Sequence, residues 1–195
     1  MPDPRIIREK YCITAGGYDE LYGEEQREKY NVVFSSHPPR GTLLDIGAGT
    51  CLLLEYLDSK RLLGDVSYYI ALDLTICMLY FCARRVRKLG VGHLVDIVEA
   101  EATRLPLRDK SVDESYAFTV FDLALSVEDA VREQVRVTRR YAVYTLMKKV
   151  EARRRASMCE RYIGETDKDI VCVPNALAWA LNQNNLDARI AVDNS

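Results

Sequence analysis

One stretch constrains this chain more than any other: Leu43-Leu44-Asp45-Ile46-Gly47-Ala48-Gly49-Thr50, a short apolar run that ends in a carboxylate and passes straight into two alternating glycines. Glycines are required where backbone must approach a ligand closely and take conformations closed to other residues. A glycine turn between strand and helix also has a purely structural explanation. A second carboxylate sharpens the reading. Asp73 stands in Ala71-Leu72-Asp73-Leu74-Thr75, at the end of the next expected strand. In a doubly wound sheet that position lies beside the glycine loop, where a carboxylate can accept both hydroxyl hydrogens of a ribose. Asp73 could equally cap the helix beginning near Thr75, and the two roles are compatible.

The alternation of apolar patterns sets the fold class. Strands are expected at 42–46, 67–72, 94–100, 112–120 and 141–147, and helices at 51–58, 76–88 and from 127 to about 139, with Ser126 as the cap of the last. Strands alternating with helices of this length imply a parallel sheet covered on both faces. The expectation is therefore an α/β, three-layer, doubly wound, Rossmann-like and mostly parallel sheet. Ahead of it, residues 4–36 are polar and Tyr-rich, with helical charge spacing broken at Gly16, Gly17 and Gly23, and read as one or two helices forming an N-terminal cap. The turn His37-Pro38-Pro39-Arg40-Gly41 separates cap from core. We expect a single domain over 1–195, with a helical cap at 1–36, a ligand-binding core at 42–150 and a C-terminal part at 151–195. In that last part, helices are expected at 151–161 and 175–183 and strands at 169–173 and 188–192.

Composition narrows the classes of function. The chain has 195 residues, 48% of them hydrophobic, enough for one substantial core. Its 27 basic and 29 acidic residues give a net charge of -2, so no overall positive field advertises nucleic acid or an anionic membrane. No apolar run reaches the ~20 residues of a membrane span, and the start Met-Pro-Asp-Pro-Arg lacks the apolar core of a secretion signal. A cytoplasmic location is the expectation. None of Cys12, Cys51, Cys77, Cys82, Cys159 and Cys172 forms a zinc-knuckle pair, so no metal site is expected, and they read as reduced, mostly buried thiols unless the source is a hyperthermophile.

The segment Ala100-Glu101-Ala102-Thr103-Arg104-Leu105-Pro106-Leu107-Arg108-Asp109-Lys110-Ser111-Val112-Asp113 makes a resemblance specific. It is similar to the segment Asp-Ala-x-x-Leu-Pro-Phe-x-Asp-x-Ser-Phe-Asp of class I S-adenosylmethionine-dependent methyltransferases. With Leu44-Asp45-Ile46-Gly47-Ala48-Gly49-Thr50 and Ala71-Leu72-Asp73-Leu74-Thr75, it resembles the broad group that includes ubiquinone and menaquinone C-methyltransferases. The resemblance spans about 42–120. It implies S-adenosylmethionine as cofactor and S-adenosylhomocysteine as product. Asp45, Gly47 and Gly49 would hold the methionine end, Asp73 the ribose, Leu74 the adenine ring, Glu101 and Ala102 the adenine amino edge, and Phe118 the pocket wall. Tyr18 resembles an aromatic that such enzymes supply from an N-terminal helix, and ordinary packing explains it as well.

Two positions depart from the pattern. Cys51 stands where a third glycine is usual, which would set the first helix slightly farther off, and Glu101 replaces the commoner Asp. NAD-type Rossmann proteins are the nearest competitor, but they carry Gly-x-Gly-x-x-Gly without an acid just before it. At the end of the fourth strand, Asp122 is the one candidate base, with a loop or cap role as the alternative. The same segment lacks the Asn-Pro-Pro-Tyr signature of base and glutamine methylation, which turns the expectation toward a small-molecule acceptor. RNA would have to use the basic cluster Lys148, Lys149, Arg153, Arg154 and Arg155, otherwise a solvated face. A methyltransferase-like, non-catalytic binding subunit is the alternative from a different class.

Overall fold

Between Gly41 and Met147 strands and helices alternate as the apolar periodicity requires, except that residues 100–111 join two successive strands without a helix. The computed structural model describes residues 4–124, 126–148 and 159–174. Helix α1 (Pro4–Thr14) and α2 (Tyr18–Phe34), joined by a 3-10 turn at Ala15–Gly17, precede β1 (Gly41–Ile46). Next come α3 (Leu52–Ser59), β2 (Val66–Asp73), α4 (Ile76–Leu89), β3 (Val95–Glu99) and β4 (Val112–Ala117). A 3-10 turn (Phe121–Leu123), α5 (Val127–Val137), β5 (Thr138–Met147), β6 (Cys159–Glu165) and β7 (Asp169–Pro174) complete the described elements.

The strands form one sheet in the order β3-β2-β1-β4-β5-β7-β6. Strands β1 to β5 pair in parallel, and β7 pairs antiparallel with both β5 and β6. The order runs outward in opposite senses from β1, so a crevice opens beyond the strand ends between β1 and β4, where doubly wound sheets bind ligands. The glycine loop leaves β1 at that crevice.

Alternation along each strand fills two cores. Leu43, Tyr69, Ala71, Tyr116, Tyr141 and Val143 pack with α2, α3 and α4 through residues such as Val33, Leu54, Leu57 and Cys82. On the other face, Leu44, Ile46, Leu72, Ala117, Tyr144 and Leu146 meet α5 through Ala130 and Val137, with Leu105 and Phe121 beside them. Leu57 is fully buried, so truncating it to Ala would cost about 2–5 kcal/mol. Local signals place the helix ends: Ser126 Oγ accepts the Asp129 N–H at 3.1 Å to start α5, and α4 carries Arg87 and Lys88 in its last turn, where cations complement the helix dipole.

Several boundaries differ from expectation for identifiable reasons. Gly23 lies inside α2 and breaks nothing. Strand β4 stops at Ala117 because Thr119 takes φ +59° and turns the chain away from the sheet. Residues 159–161 begin β6 where a helix was expected; the extended segment expected at 169–173 is β7. The helix and strand expected at 175–183 and 188–192, and most of that at 151–161, lie outside the described residues. The cysteines overturn the reading of reduced thiols: Cys12–Cys77, Cys51–Cys82 and Cys159–Cys172 are disulfides. Spacing did not reveal them: Cys12–Cys77 and Cys51–Cys82 meet through packing of distant elements, and Cys159–Cys172 joins the paired strands β6 and β7. Among the described residues, no helix is long and apolar enough to cross a membrane.

Candidate functional site

The loop after β1 is stitched to the tip of β2 by its backbone. Gly47 N–H and Ala48 N–H both donate to the Leu72 carbonyl, at 2.7 and 2.9 Å, and Gly49 N–H donates to the Asp73 carboxylate at 2.9 Å. Gly47 takes φ +71°, and a Cβ on it would fall 2.1 Å from Cγ2 of Val120. A side chain is thus excluded there twice, by conformation and by the β4 tip. Cys51, at the position where glycine is usual, takes φ +64° itself as the residue before α3; it is fully buried and bonded to Cys82 of α4.

The two acids sit on neighbouring parallel strands, with Asp45 opposite Ala71, two residues before Asp73. Asp73 accepts the Gly49 N–H through one carboxylate oxygen and the Thr75 N–H, at 2.7 Å, through the other. It therefore ties the residue before α4 and the glycine loop together. Burial pushes its carboxyl up, while the backbone donors of Thr75 and Gly49 pull it down. Asp45 is buried below the surface, accepting the Tyr69 hydroxyl at 2.6 Å. Burial drives its carboxyl up to about 7, with the Tyr69 hydrogen bond opposing and the nearby Asp73 reinforcing the shift.

A cavity opens over these tips, enclosing about 770 Å³ of empty space counting its mouth. Of the residues singled out in the sequence, Tyr18, Gly47, Gly49, Asp73, Leu74, Glu101, Ala102 and Phe118 line it, and Asp45 does not. The Ala100 N–H bonds the Asp73 carbonyl at 2.9 Å, which brings the segment after β3 alongside β2. Glu101 accepts the Thr103 hydroxyl at 2.9 Å. Arg136 of α5 clamps the chain from Leu105 to Asp109, donating to the carbonyls of Leu105 and Leu107 at 3.1 and 2.8 Å and to the Asp109 carboxylate at 2.7 Å. Tyr18 is held among rings, 6.2 Å from Tyr11 and 4.9 Å from Tyr22 between centroids, and burial pushes its hydroxyl pKa up. The neighbouring Asp19 accepts the Thr50 hydroxyl at 2.5 Å and pairs with Arg85, which also donates to the Thr50 carbonyl. That network ties the start of α2 to the glycine loop.

Sequence reasoning missed the wall contributed by α1, namely Pro4, Ile7 and Tyr11. The spacing of Ile7 and Tyr11, one helical turn, was a legible signal that they share a face. It also missed how the β4 tip is held. Thr119 and Val120 line the cavity. The Thr119 N–H donates to the Thr145 hydroxyl at 2.8 Å, and its own hydroxyl accepts from the ammonium of the fully buried Lys29 at 2.5 Å. Lys29 reaches Asp169 of β7 at 2.8 Å and Glu25 at 3.0 Å as well. Asp122 accepts the Met147 N–H at 2.9 Å and is not on the wall. Lys148 pairs with Glu165 at 3.4 Å. Lys149, Arg153, Arg154 and Arg155 lie outside the described residues. No cluster able to hold a metal ion occurs among the described residues.

Comparison with known proteins bears on the family and the fold. A family model described as a methyltransferase domain matches residues 44–145. A malonyl-(acyl-carrier protein) O-methyltransferase from Marinomonas sp. (strain MWYL1) is 35% identical over 135 residues, covering 68% of this chain and 47% of that protein. The chain thus spans about half the length of the curated relative it matches. Among solved structures, an S-adenosylmethionine-dependent methyltransferase from Aquifex aeolicus superposes with a TM-score of 0.60 at 21% identity, covering 89% of this chain and 98% of the other. One from Methanococcus maripaludis, described as a putative methyltransferase of the same dependence, gives 0.58 at 20% identity, covering 69% and 62%. These likenesses establish the shared fold.

Proposed function

Because the chain belongs to the methyltransferase domain family, we propose that it binds S-adenosylmethionine in the cavity over the β1 and β2 tips and transfers its methyl group to a small-molecule acceptor, leaving S-adenosylhomocysteine. The observation that carries this reading is Asp73, a carboxylate fixed by the Gly49 and Thr75 N–H groups on the wall of a cavity whose floor is glycine backbone. Such a carboxylate is pre-set to accept ribose hydroxyls. The wall fits a cationic, nucleoside-bearing ligand. Its charged members among the described residues are Asp73 and Glu101, and the rings of Tyr11, Tyr18 and Phe118 face the same space; carboxylates and aromatic faces both favour a cation.

When bound, S-adenosylmethionine supplies an electrophilic methyl on a sulfonium, a group that leaves without acid, base or metal assistance. The chain's own residues then have to position and to exclude. Gly47 and Gly49 admit the ligand to the backbone, Asp73 and Glu101 orient its nucleoside end, and Leu74 and Ala102 pack beside them. Tyr18 and α1 keep water from the reacting centre, which raises the fraction of time the acceptor spends in line. Asp45 supports from beneath, through Tyr69. Residues 1–36 serve as the cap of one domain spanning 1–195, with 42–150 carrying the cofactor.

The acceptor side is bordered by Phe118, Thr119, Val120, Leu123 and Ala124, mostly apolar. That favours a small molecule over RNA, whose phosphates would meet no basic side chain among the described lining residues. The three motifs resemble quinone C-methyltransferases, and the curated relative is named for O-methyl transfer; both are consistent with a small or carrier-borne acceptor. Calorimetric titration with S-adenosylhomocysteine tests the cofactor reading: one site per chain is expected, and absence of heat overturns it. Transfer of a labelled methyl into the small-molecule fraction of a cell extract tests the acceptor. Label confined to RNA or protein contradicts that part, and binding without transfer into any fraction indicates a non-catalytic subunit.

A further inference from the structure

Helix α1 forms one wall of the cavity through Pro4, Ile7 and Tyr11, yet none of its residues is buried. A helix of 11 residues is marginal in water without tertiary packing. Arg8 donates from Nε to the Leu74 carbonyl at 3.2 Å and lies 3.6 Å from Glu99 through Nη2, both partners being largely exposed and so weakened by water and salt. Tyr11 adds a ring contact with Tyr18. The one covalent tie is Cys12–Cys77, which joins the last turn of α1 to the first turn of α4 with Cα atoms 5.0 Å apart. Cys77 lies between Thr75 and Met78, both on the cavity wall. The bond therefore straps α1, one wall of the cavity, onto the start of α4, just after Asp73 at the end of β2.

The three disulfides differ in access. Cys51 and Cys82 are both fully buried; in the third pair Cys172 is fully buried and Cys159 is partly exposed. Cys12 and Cys77 are each partly exposed. Exchange requires a thiolate to reach a disulfide sulfur; Cys12–Cys77 is the pair with both cysteines partly exposed, Cys159–Cys172 has one and Cys51–Cys82 has none.

We propose that Cys12–Cys77 is a thiol–disulfide exchange site, opened selectively by a dithiol reductant, and that opening it frees α1 and widens the mouth of the cofactor cavity. The proposal rests on the cavity being the S-adenosylmethionine site. One thiolate of the reductant attacks a sulfur of the pair and forms a mixed disulfide as the other cysteine leaves as thiolate. The second thiol of the reductant then displaces the protein, which gains two electrons and two protons overall as Cys12 and Cys77 thiols, while the reductant becomes a disulfide. Oxidation of the pair reverses the sequence with a disulfide as acceptor.

The test uses the full chain, limited dithiothreitol and S-adenosylhomocysteine as probe. Alkylation read by mass spectrometry should label Cys12 and Cys77 before Cys51 and Cys82. Reduction should speed amide exchange across residues 4–14 by roughly tenfold or more and the dissociation of S-adenosylhomocysteine by roughly tenfold. The variant Cys12→Ser/Cys77→Ser should show both fast rates with or without dithiothreitol. Labelling of Cys12 and Cys77 only together with the buried pair, or unchanged exchange in 4–14 after reduction, overturns the strap. Faster exchange in 4–14 with no binding of S-adenosylhomocysteine in either state supports the strap and strikes the cofactor reading alone.

Discussion

At the tip of β1, Asp45 is sealed under the loop and accepts the Tyr69 hydroxyl; one strand over, Asp73 meets the cavity and accepts the N–H groups of Gly49 and Thr75. The side chains are identical and their strands are paired in parallel. What differs is depth. Asp45 stands one residue inside the end of β1, on the face covered by α2, α3 and α4, whereas Asp73 is the last residue of β2. A carboxyl enclosed with a single phenol donor is easier to keep protonated, while one at a strand end collects backbone donors and remains available to a ligand. The pair teaches that a motif acid can be a support or a contact, and that a position or two along the strand decides which.

The contrast predicts a pH effect larger than that of a single substitution at either tip. The unfolded chain releases the Asp45 proton near 3.8, whereas the fold retains it to about 7. Between those values the folded state binds more protons, so stability falls as pH rises from about 4 to 7 and levels off above, by a few kcal/mol in order of magnitude. Asp45→Asn, which keeps an acceptor for Tyr69, should flatten that slope in urea titrations. An unchanged slope would assign it to another group. Asp73, also raised, contributes in the same direction, so some slope should survive.

Smaller effects sharpen the comparison. Gly47→Ala forces a Cβ into Val120 at a positive φ and should cost about 2–3 kcal/mol of unfolding free energy; a loss under about 0.5 kcal/mol would mean that the loop is not held as described. Tyr69→Phe leaves the Asp45 carboxyl without its donor and should cost about 1–2 kcal/mol, with the loss greatest above pH 7, where the acid would otherwise ionise. Asp122→Asn keeps an acceptor for the Met147 N–H and should stay within about 0.5 kcal/mol of wild type in thermal melts.

Much of this was legible in the sequence where chemistry and local pattern coincide. The run from Leu43 to Thr50, the acid at Asp73 and the segment from Glu101 to Leu107 announce a strand-end cavity because each needs its residue type at its own place. The Ser126 cap was legible for the same reason. Asp45 and Asp73 looked alike because a sequence does not show how far each lies from solvent; only the strand register and the arrival of Tyr69 decide that. The Thr119 turn escaped notice because its positive φ is imposed by Lys29 and Thr145, 90 and 26 residues distant along the chain. The disulfides were hidden likewise, Cys12 and Cys77 being 65 residues apart. The apolar run of β7 was legible as an extended segment, whereas the charged beginning of β6 imitates a helix.

The central claim is that the acid on the cavity wall, not the acid beneath it, contacts the nucleoside. Calorimetric titration of S-adenosylhomocysteine into wild type, Asp73→Ala and Asp45→Asn tests it directly. The account predicts a loss of about 100-fold in affinity for Asp73→Ala, the worth of hydrogen bonds to a charged acceptor, and a loss of about tenfold or less for Asp45→Asn. Equal affinity of Asp73→Ala and wild type, or a heavier loss for Asp45→Asn than for Asp73→Ala, would contradict it.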